Sequence, residues 1–209
     1  MLNLTSARSS ILCRFAIFLA LLWIPKVQAG VTTSWMQTAT VLPAGGSEGR
    51  IHADIVTSGG GGFNLSPQYR FNAMEHFLDL TAFAVTGTTD FALGARGKYN
   101  FLPDLQGQIG LSFLGELSLI RDDGQAGFVF GVGTLGSKDF PVEWGQISPY
   151  GSFELELFFV SEDVRIPLTL GLGAQWIFTA VPGWVFYSEL GLNLSDSVSR
   201  LSFGAAYPF

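Results

Sequence analysis

Two histidines and one cysteine are the chain's only imidazole and thiol groups. His52 stands two residues before Asp54, so on an extended strand both side chains share a face, as an acid–base couple would. His76 follows Glu75 in a stretch read as a turn, and the acidic pair Asp122-Asp123 has no histidine near it in sequence. Two histidines and no cysteine in the mature chain argue against a structural zinc site. Gly59–Gly62 lacks the lysine and following helix of a phosphate-cradling loop, and Asp122-Asp123-Gly124 is too short for a calcium loop. The reading is therefore no catalytic residue, no metal and no cofactor. A hydrolase acting on lipid or peptide stands as an alternative that His52→Ala would expose.

The other candidate chemistry is electrostatic. Arg50, Arg70, Arg96 and Lys98 fall on one parity of three predicted strands, with Asp54 and Asp79 among them. Glu116, Glu154, Glu156 and Glu189 fall on the same parity of three later strands. Ionisable groups enclosed by a protein wall must be paired or hydrated. Two arrangements satisfy that requirement: a salt-bridged interior that closes itself, or a hydrated path between a basic and an acidic wall, whose field sorts small solutes.

The elements that position these charges follow from the rest of the chain. Arg8 and Arg14 precede the apolar run Phe15–Ile24, and Val27-Gln-Ala29 supplies small residues for cleavage, the layout of an export signal over 1–29. An apolar run of about ten residues is too short to cross a bilayer as a helix. Its removal takes Cys13, Arg8, Arg14 and Lys26, leaving eight basic residues against 17 acidic ones, a net charge of about −9. Such a balance excludes nucleic acid as a partner. Lys98 and Lys138 are then the only lysines, too few to cover a soluble domain.

From residue 49 onward the chain repeats stretches of about ten alternating residues, broken by Gly, Pro, Asp or Ser. Ten strands are predicted: 49–57, 63–72, 76–86, 89–101, 107–120, 125–136, 147–159, 164–178, 183–194 and 198–209. Each sets an apolar face against a polar or small one: Phe153, Leu155, Leu157 and Phe159 alternate with Ser152, Glu154 and Glu156. The fold class is all-β, a closed antiparallel transmembrane barrel of about ten strands, with eight or twelve as alternatives. In lipid every backbone group must pair within the wall, and closure leaves no edge. Aromatics group at strand ends, with Phe71, Tyr99, Trp176, Trp184 and Tyr207 towards one interface and Phe63, Phe91, Phe128 and Phe159 towards the other. Residues 34–42 read as an eleventh strand that would spoil an even count. They are assigned to a periplasmic lead-in, 30–48, or a partial plug.

Leu201, Phe203, Ala205, Tyr207 and Phe209 alternate up to a terminal phenylalanine. This ending resembles the C-terminal signature of bacterial outer-membrane β-barrel proteins. The resemblance implies location in the outer membrane, contact with membrane lipids, passage through the secretion apparatus, and Tyr207 and Phe209 as the assembly signal read by the outer-membrane assembly machinery. Omptin-like proteases on this architecture place an Asp–His couple at the outer rim, whereas strand parity puts His52 near the periplasmic end. With only short outer loops, the functional expectation is a small pore or passive conduit, with a closed structural barrel as the alternative. Glycines on the inward parity, among them Gly94, Gly171, Gly173, Gly191 and Gly204, either leave the interior open or make room for inward Tyr150, Phe158 and Tyr187.

Overall fold

Alternation with period two turns a strand into a two-faced ribbon, and ten such ribbons pair edge to edge until the first meets the last. The computed structural model describes residues 34–58, 61–105, 108–122, 124–160 and 163–209. Residues 1–33, over which an export signal and the start of the lead-in are predicted, and the centres of some loops, including Gly59, Gly60 and Asp123, lie outside the described residues.

The strands are β1 (Ser47–Val56), β2 (Gly62–Met74), β3 (Leu78–Gly87), β4 (Phe91–Leu102), β5 (Gly110–Asp122) and β6 (Gln125–Ser137), followed by β7 (Phe140–Val142), β8 (Gly145–Val160), β9 (Asp163–Arg165), β10 (Leu168–Phe178), β11 (Val185–Ser195) and β12 (Arg200–Pro208). Ten of these are long and form the wall, while β7 and β9 are short and pair only with β8. The wall runs β10-β11-β12-β1-β2-β3-β4-β5-β6-β8, and β10 pairs with β8 to close it. All pairings are antiparallel, and β1 meets β12 from Glu48↔Pro208 to Val56↔Arg200. The ten predicted strands correspond one to one with these, to within a few residues at each end.

Local chemistry explains the irregularities. Pro67 has no N–H to give, and the β2–β3 ladder skips from Leu65↔Thr86 to Gln68↔Phe83 around it. The β2–β3 turn places His76 at φ 65°, exposed, in keeping with its reading as a turn residue. Beyond Pro208 the chain stays tied in, because the Phe209 N–H donates to the Ser47 carbonyl at 3.0 Å.

The two faces of the wall are opposite in kind. On β8, Phe153 is 46% exposed and Phe159 44%, while Glu154 and Glu156 between them are 1% and 2% exposed. The same holds on β1, where Ile51 and Ile55 face out and Arg50, His52 and Asp54 face in. A protein with this distribution is inside out for water. It fits a surrounding of lipid, where outward leucine and phenylalanine cost nothing and inward charges meet one another. Among the described residues no helix is long and apolar enough to cross a membrane.

Aromatic side chains form a chain of contacts around one rim: Trp144 stacks on Trp176 at 6.4 Å and on Phe178 at 5.3 Å, Trp184 meets Tyr207 at 5.4 Å, and Tyr69 stacks on Phe209 at 6.1 Å. Amphipathic rings at this level suit the boundary between lipid and water. At the same end, the Lys138 ammonium pairs with Asp104 at 2.5 Å and donates to the carbonyls of Leu105 and Gln108, tying two turns together.

Candidate lumen and the segment that fills it

Each inward charge sits on a strand whose neighbours supply its partner. Thr81, Arg96 and Glu116 lie on one row of the β3–β4–β5 sheet, and the Arg96 guanidinium reaches the Glu116 carboxylate at 2.6 Å. Two strands further each way, the row continues through Gly131 to Glu156 and through Arg70 to Glu48. Arg70 bridges Glu48 at 3.0 Å and pairs with Asp79. Arg50 pairs with Glu48 at 2.5 Å, and Lys98 with Asp79 at 3.4 Å. On the opposite wall Arg200 lies between Glu154 at 3.5 Å and Glu189 at 3.2 Å.

The ten charged residues expected in the interior, Arg50, Asp54, Arg70, Asp79, Arg96, Lys98, Glu116, Glu154, Glu156 and Glu189, are all buried there. They do not form separate basic and acidic walls, because bases and acids interleave through the pairs above. Two further members went unnamed, Glu48 and Arg200. Both were legible, since Glu48 shares the parity of Arg50 and Arg200 that of Ser202 and Gly204. Glu48 stood one residue before the predicted start of its strand. His52 is buried too, with Nδ1 2.9 Å from Gln68 Nε2 and its ring 6.2 Å from that of Tyr187.

The inward glycines make room. A Cβ on Gly173 would stand 2.4 Å from the Tyr150 ring, one on Gly191 2.7 Å from Arg200, one on Gly204 2.6 Å from His52, and one on Gly94 2.6 Å from Phe83. Their absent side chains are replaced by large neighbours, so these positions do not widen the lumen. Towards the outer ends of β3–β6 and β8 the interior is apolar, where Phe83, Val85, Ile120, Val129 and Phe158 pack together.

Residues 34–42 are no eleventh strand. They run inside the barrel, with Met36 and Ala39 fully buried and Trp35 2% exposed. Every residue of the segment is uncharged, so it meets the lumen's charges with its backbone. The Ser34 carbonyl accepts from Arg96 at 2.8 Å, the Met36 carbonyl from Arg50 at 3.3 Å, and the Thr38 carbonyl from Lys98 at 2.9 Å. The Thr40 carbonyl accepts from Lys98 and, at 3.0 Å, from Arg70. The Ala39 carbonyl takes Asn100 and Ser112. In the other direction, the Met36 N–H donates to Glu189 at 3.2 Å and the Leu42 N–H to Asp79 at 3.2 Å. The Trp35 indole lies under Arg96, 4.8 Å from ring centre to guanidinium carbon. Hydrogen bonds to charged groups in an interior that water does not screen are the strong kind. Sequence periodicity sees the alternation of 34–42 but cannot tell whether a strand-like segment joins the wall or lies within it.

No family model matches the sequence, and no curated protein matches it. Among solved structures, the chain is similar in fold to the β-domain of the Bordetella autotransporter BrkA. That match has a TM-score of 0.56 and 14% identity, and it covers 79% of this chain and 98% of that one. An outer membrane channel from Pseudomonas putida F1 superposes with a TM-score of 0.48 at 11% identity over 86% and 100% of the two chains. The attachment invasion locus protein Ail of Yersinia pestis gives 0.24 at 14% over 79% and 97%. The first likeness shows the fold, and the other two are too loose to add to it. The closed wall, outward apolar face and enclosed charges define the class, a closed antiparallel β-barrel of the transmembrane kind.

Proposed function

We propose that this barrel is a small-solute conduit held shut by its own segment 34–42. The observation that carries the proposal is the way the segment is gripped: an uncharged stretch inside the lumen whose carbonyls are taken by Arg50, Arg70, Arg96, Lys98 and Asn100. These are groups that water can satisfy when the segment withdraws, whereas strands of the wall have no such substitute in lipid. With the segment gone, the described residues of the interior include seven acidic and five basic ones, so passage favours cations. No catalysis is assigned. His52 is enclosed against Gln68 and Tyr187, and its replacement by Ala leaves any hydrolytic activity of the preparation unchanged. Membrane lipids are the partner of the outer face. The assembly machinery is the partner of the C-terminal ending, where Tyr207 and Phe209 are 47% and 70% exposed.

Conductance of the refolded protein in planar bilayers tests the reading. The full chain is closed at rest. A variant lacking 34–42 carries a cation-preferring current, and Glu154→Gln with Glu156→Gln in that variant weakens the preference. A folded deletion variant that carries no current retires the conduit and leaves a closed barrel sealed by its ion pairs.

A further inference from the structure

The half of the lumen nearest the aromatic rim holds its contents by their backbone. Residues 34–42 form no helix and no ladder, and among the described residues none of their amides bonds another backbone group. Their partners are side chains of the wall. Carbonyls of five residues, Ser34, Met36, Thr38, Ala39 and Thr40, accept from it. The N–H groups of Met36, Ala39 and Leu42 donate to Glu189, Ser137 and Asp79. By contrast, the segment's own side chains reach the wall through only two polar contacts among the described residues, Ser34 to Glu189 and Thr38 to Gln175. Recognition therefore reads the groups that every peptide carries.

Charge and shape narrow the class. Each base of this half already has an acid: Arg50 and Arg70 at Glu48, Lys98 at Asp79, Arg96 at Glu116. Their remaining N–H groups suit a neutral carbonyl, whereas a charged side chain would have to break a pair and strand its other member. Apolar side chains do find places, Met36 against Tyr187 and Ala206, Trp35 among Leu114, Leu135 and Tyr150. The seated segment is nevertheless an imperfect match. Asn100, 4% exposed, donates to the Ala39 carbonyl at 2.6 Å, yet its Oδ1 has no partner, and neither has the Trp35 indole N–H. Enclosed groups left unmet at the contact itself weaken it and leave room for a better-matched occupant. The tether, Pro43 to Gly45, is exposed at the rim.

We propose that the lumen is a receptor for uncharged peptide segments, and that residues 34–42 are its tethered occupant, seated where a peptide supplied from outside would bind. The inference rests on the plug reading given above and names the class of solute for that conduit. Its test separates the two.

A protease recognition sequence inserted between Ala44 and Gly45, at an exposed turn that tolerates insertion, lets the segment be cut free after the full chain has folded in vesicles. The probe is the acetylated peptide Ser34–Leu42 with a dye beyond Leu42, where the tether leaves the rim, and binding is read by anisotropy. The cut barrel exchanges its segment for the probe. A peptide with Gln37 to Val41 in shuffled order competes about as well, whereas Ala39→Glu in the peptide weakens it at least about tenfold and maltoheptaose does not compete. Asn100→Leu with Ser112→Ala in the wall, which strands the Ala39 carbonyl, also weakens the probe at least about tenfold. The unaltered chain supplies a second arm: its tether holds the segment at about millimolar effective concentration, so the probe is shut out at micromolar concentration and enters at millimolar. Departure of the cut segment with a rise in current, but no uptake of the probe, overturns the receptor and leaves the conduit standing. Equal competition by maltoheptaose, or uptake of the native order alone, overturns it too. Uptake by a cut barrel that never carries current retires the conduit and leaves the receptor. A cut segment that neither leaves nor exchanges overturns both, since the segment is then a fixed part of the fold.

Discussion

Replacing Arg200 by Met is the most demanding test of the enclosed charge network. Arg200 is fully buried, lies 3.2 Å from Glu189 and 3.5 Å from Glu154, and is the only cation that pairs with either of them among the described residues. Its loss takes the described lumen from two to three excess negative charges and leaves two carboxylates facing each other. A contact at this distance is worth about 5 kcal/mol at an effective dielectric constant of 20. Breaking a buried pair on one side costs about 3–5 kcal/mol. With a urea slope of about 2 kcal/mol per molar, the unfolding midpoint in lipid vesicles should fall by roughly 2 M. The assay is tryptophan fluorescence along a urea titration, with gel mobility of the folded barrel as a second probe. Adding Glu154→Gln and Glu189→Gln to Arg200→Met should restore more than half of the loss, because the stranded charges go with their partner. A midpoint that moves by less than about 0.3 M, equivalent to a surface ion pair, would show that water screens these groups and that the interior is not the dry network drawn above.

Three further outcomes follow from the same geometry. In single-tryptophan variants, brominated lipids should quench Trp184 and leave Trp35 untouched, since the first is exposed on the outer face and the second is enclosed; equal quenching of the two would contradict the orientation of the wall. Leu155→Arg should lower stability in vesicles by about 2–4 kcal/mol, as for charges on the lipid face of barrels, whereas Leu155→Phe should be nearly silent in the same urea titration. Gly173→Ala should destabilise by about 1–3 kcal/mol through overpacking, since its Cβ would meet both Tyr150 and the Ser188 carbonyl. Tyr150→Phe should not relieve that cost, because the ring and the carbonyl remain.

The wall was legible because its physics is local. A strand between lipid and an enclosed interior must alternate along its own length, so Ile51, Ala53 and Ile55 against Arg50, His52 and Asp54 declare the two faces without any knowledge of the neighbours. The break residues fix where each strand stops, and the even count puts both ends of the wall on one side. Pairing of the charges was not legible. That Arg96 meets Glu116, and Arg200 both Glu154 and Glu189, depends on the stagger between strands, which no single strand encodes. The glycines were ambiguous for the same reason: Gly173 leaves space only if no neighbour fills it, and Tyr150 on the adjoining strand does.

By itself, then, the sequence determined the architecture and the side of the wall on which each residue lies, since parity and composition are properties of a chain taken alone. Tertiary structure decided what the interior holds. Residues 34–42 carry the alternation of a strand, and only the closed barrel, with Arg50, Arg70, Arg96 and Lys98 converging on one axis, turns them from a lead-in into the contents of the lumen. Donors brought together from β1, β2 and β4 make that binding track, and their convergence exists only once the last strand has met the first.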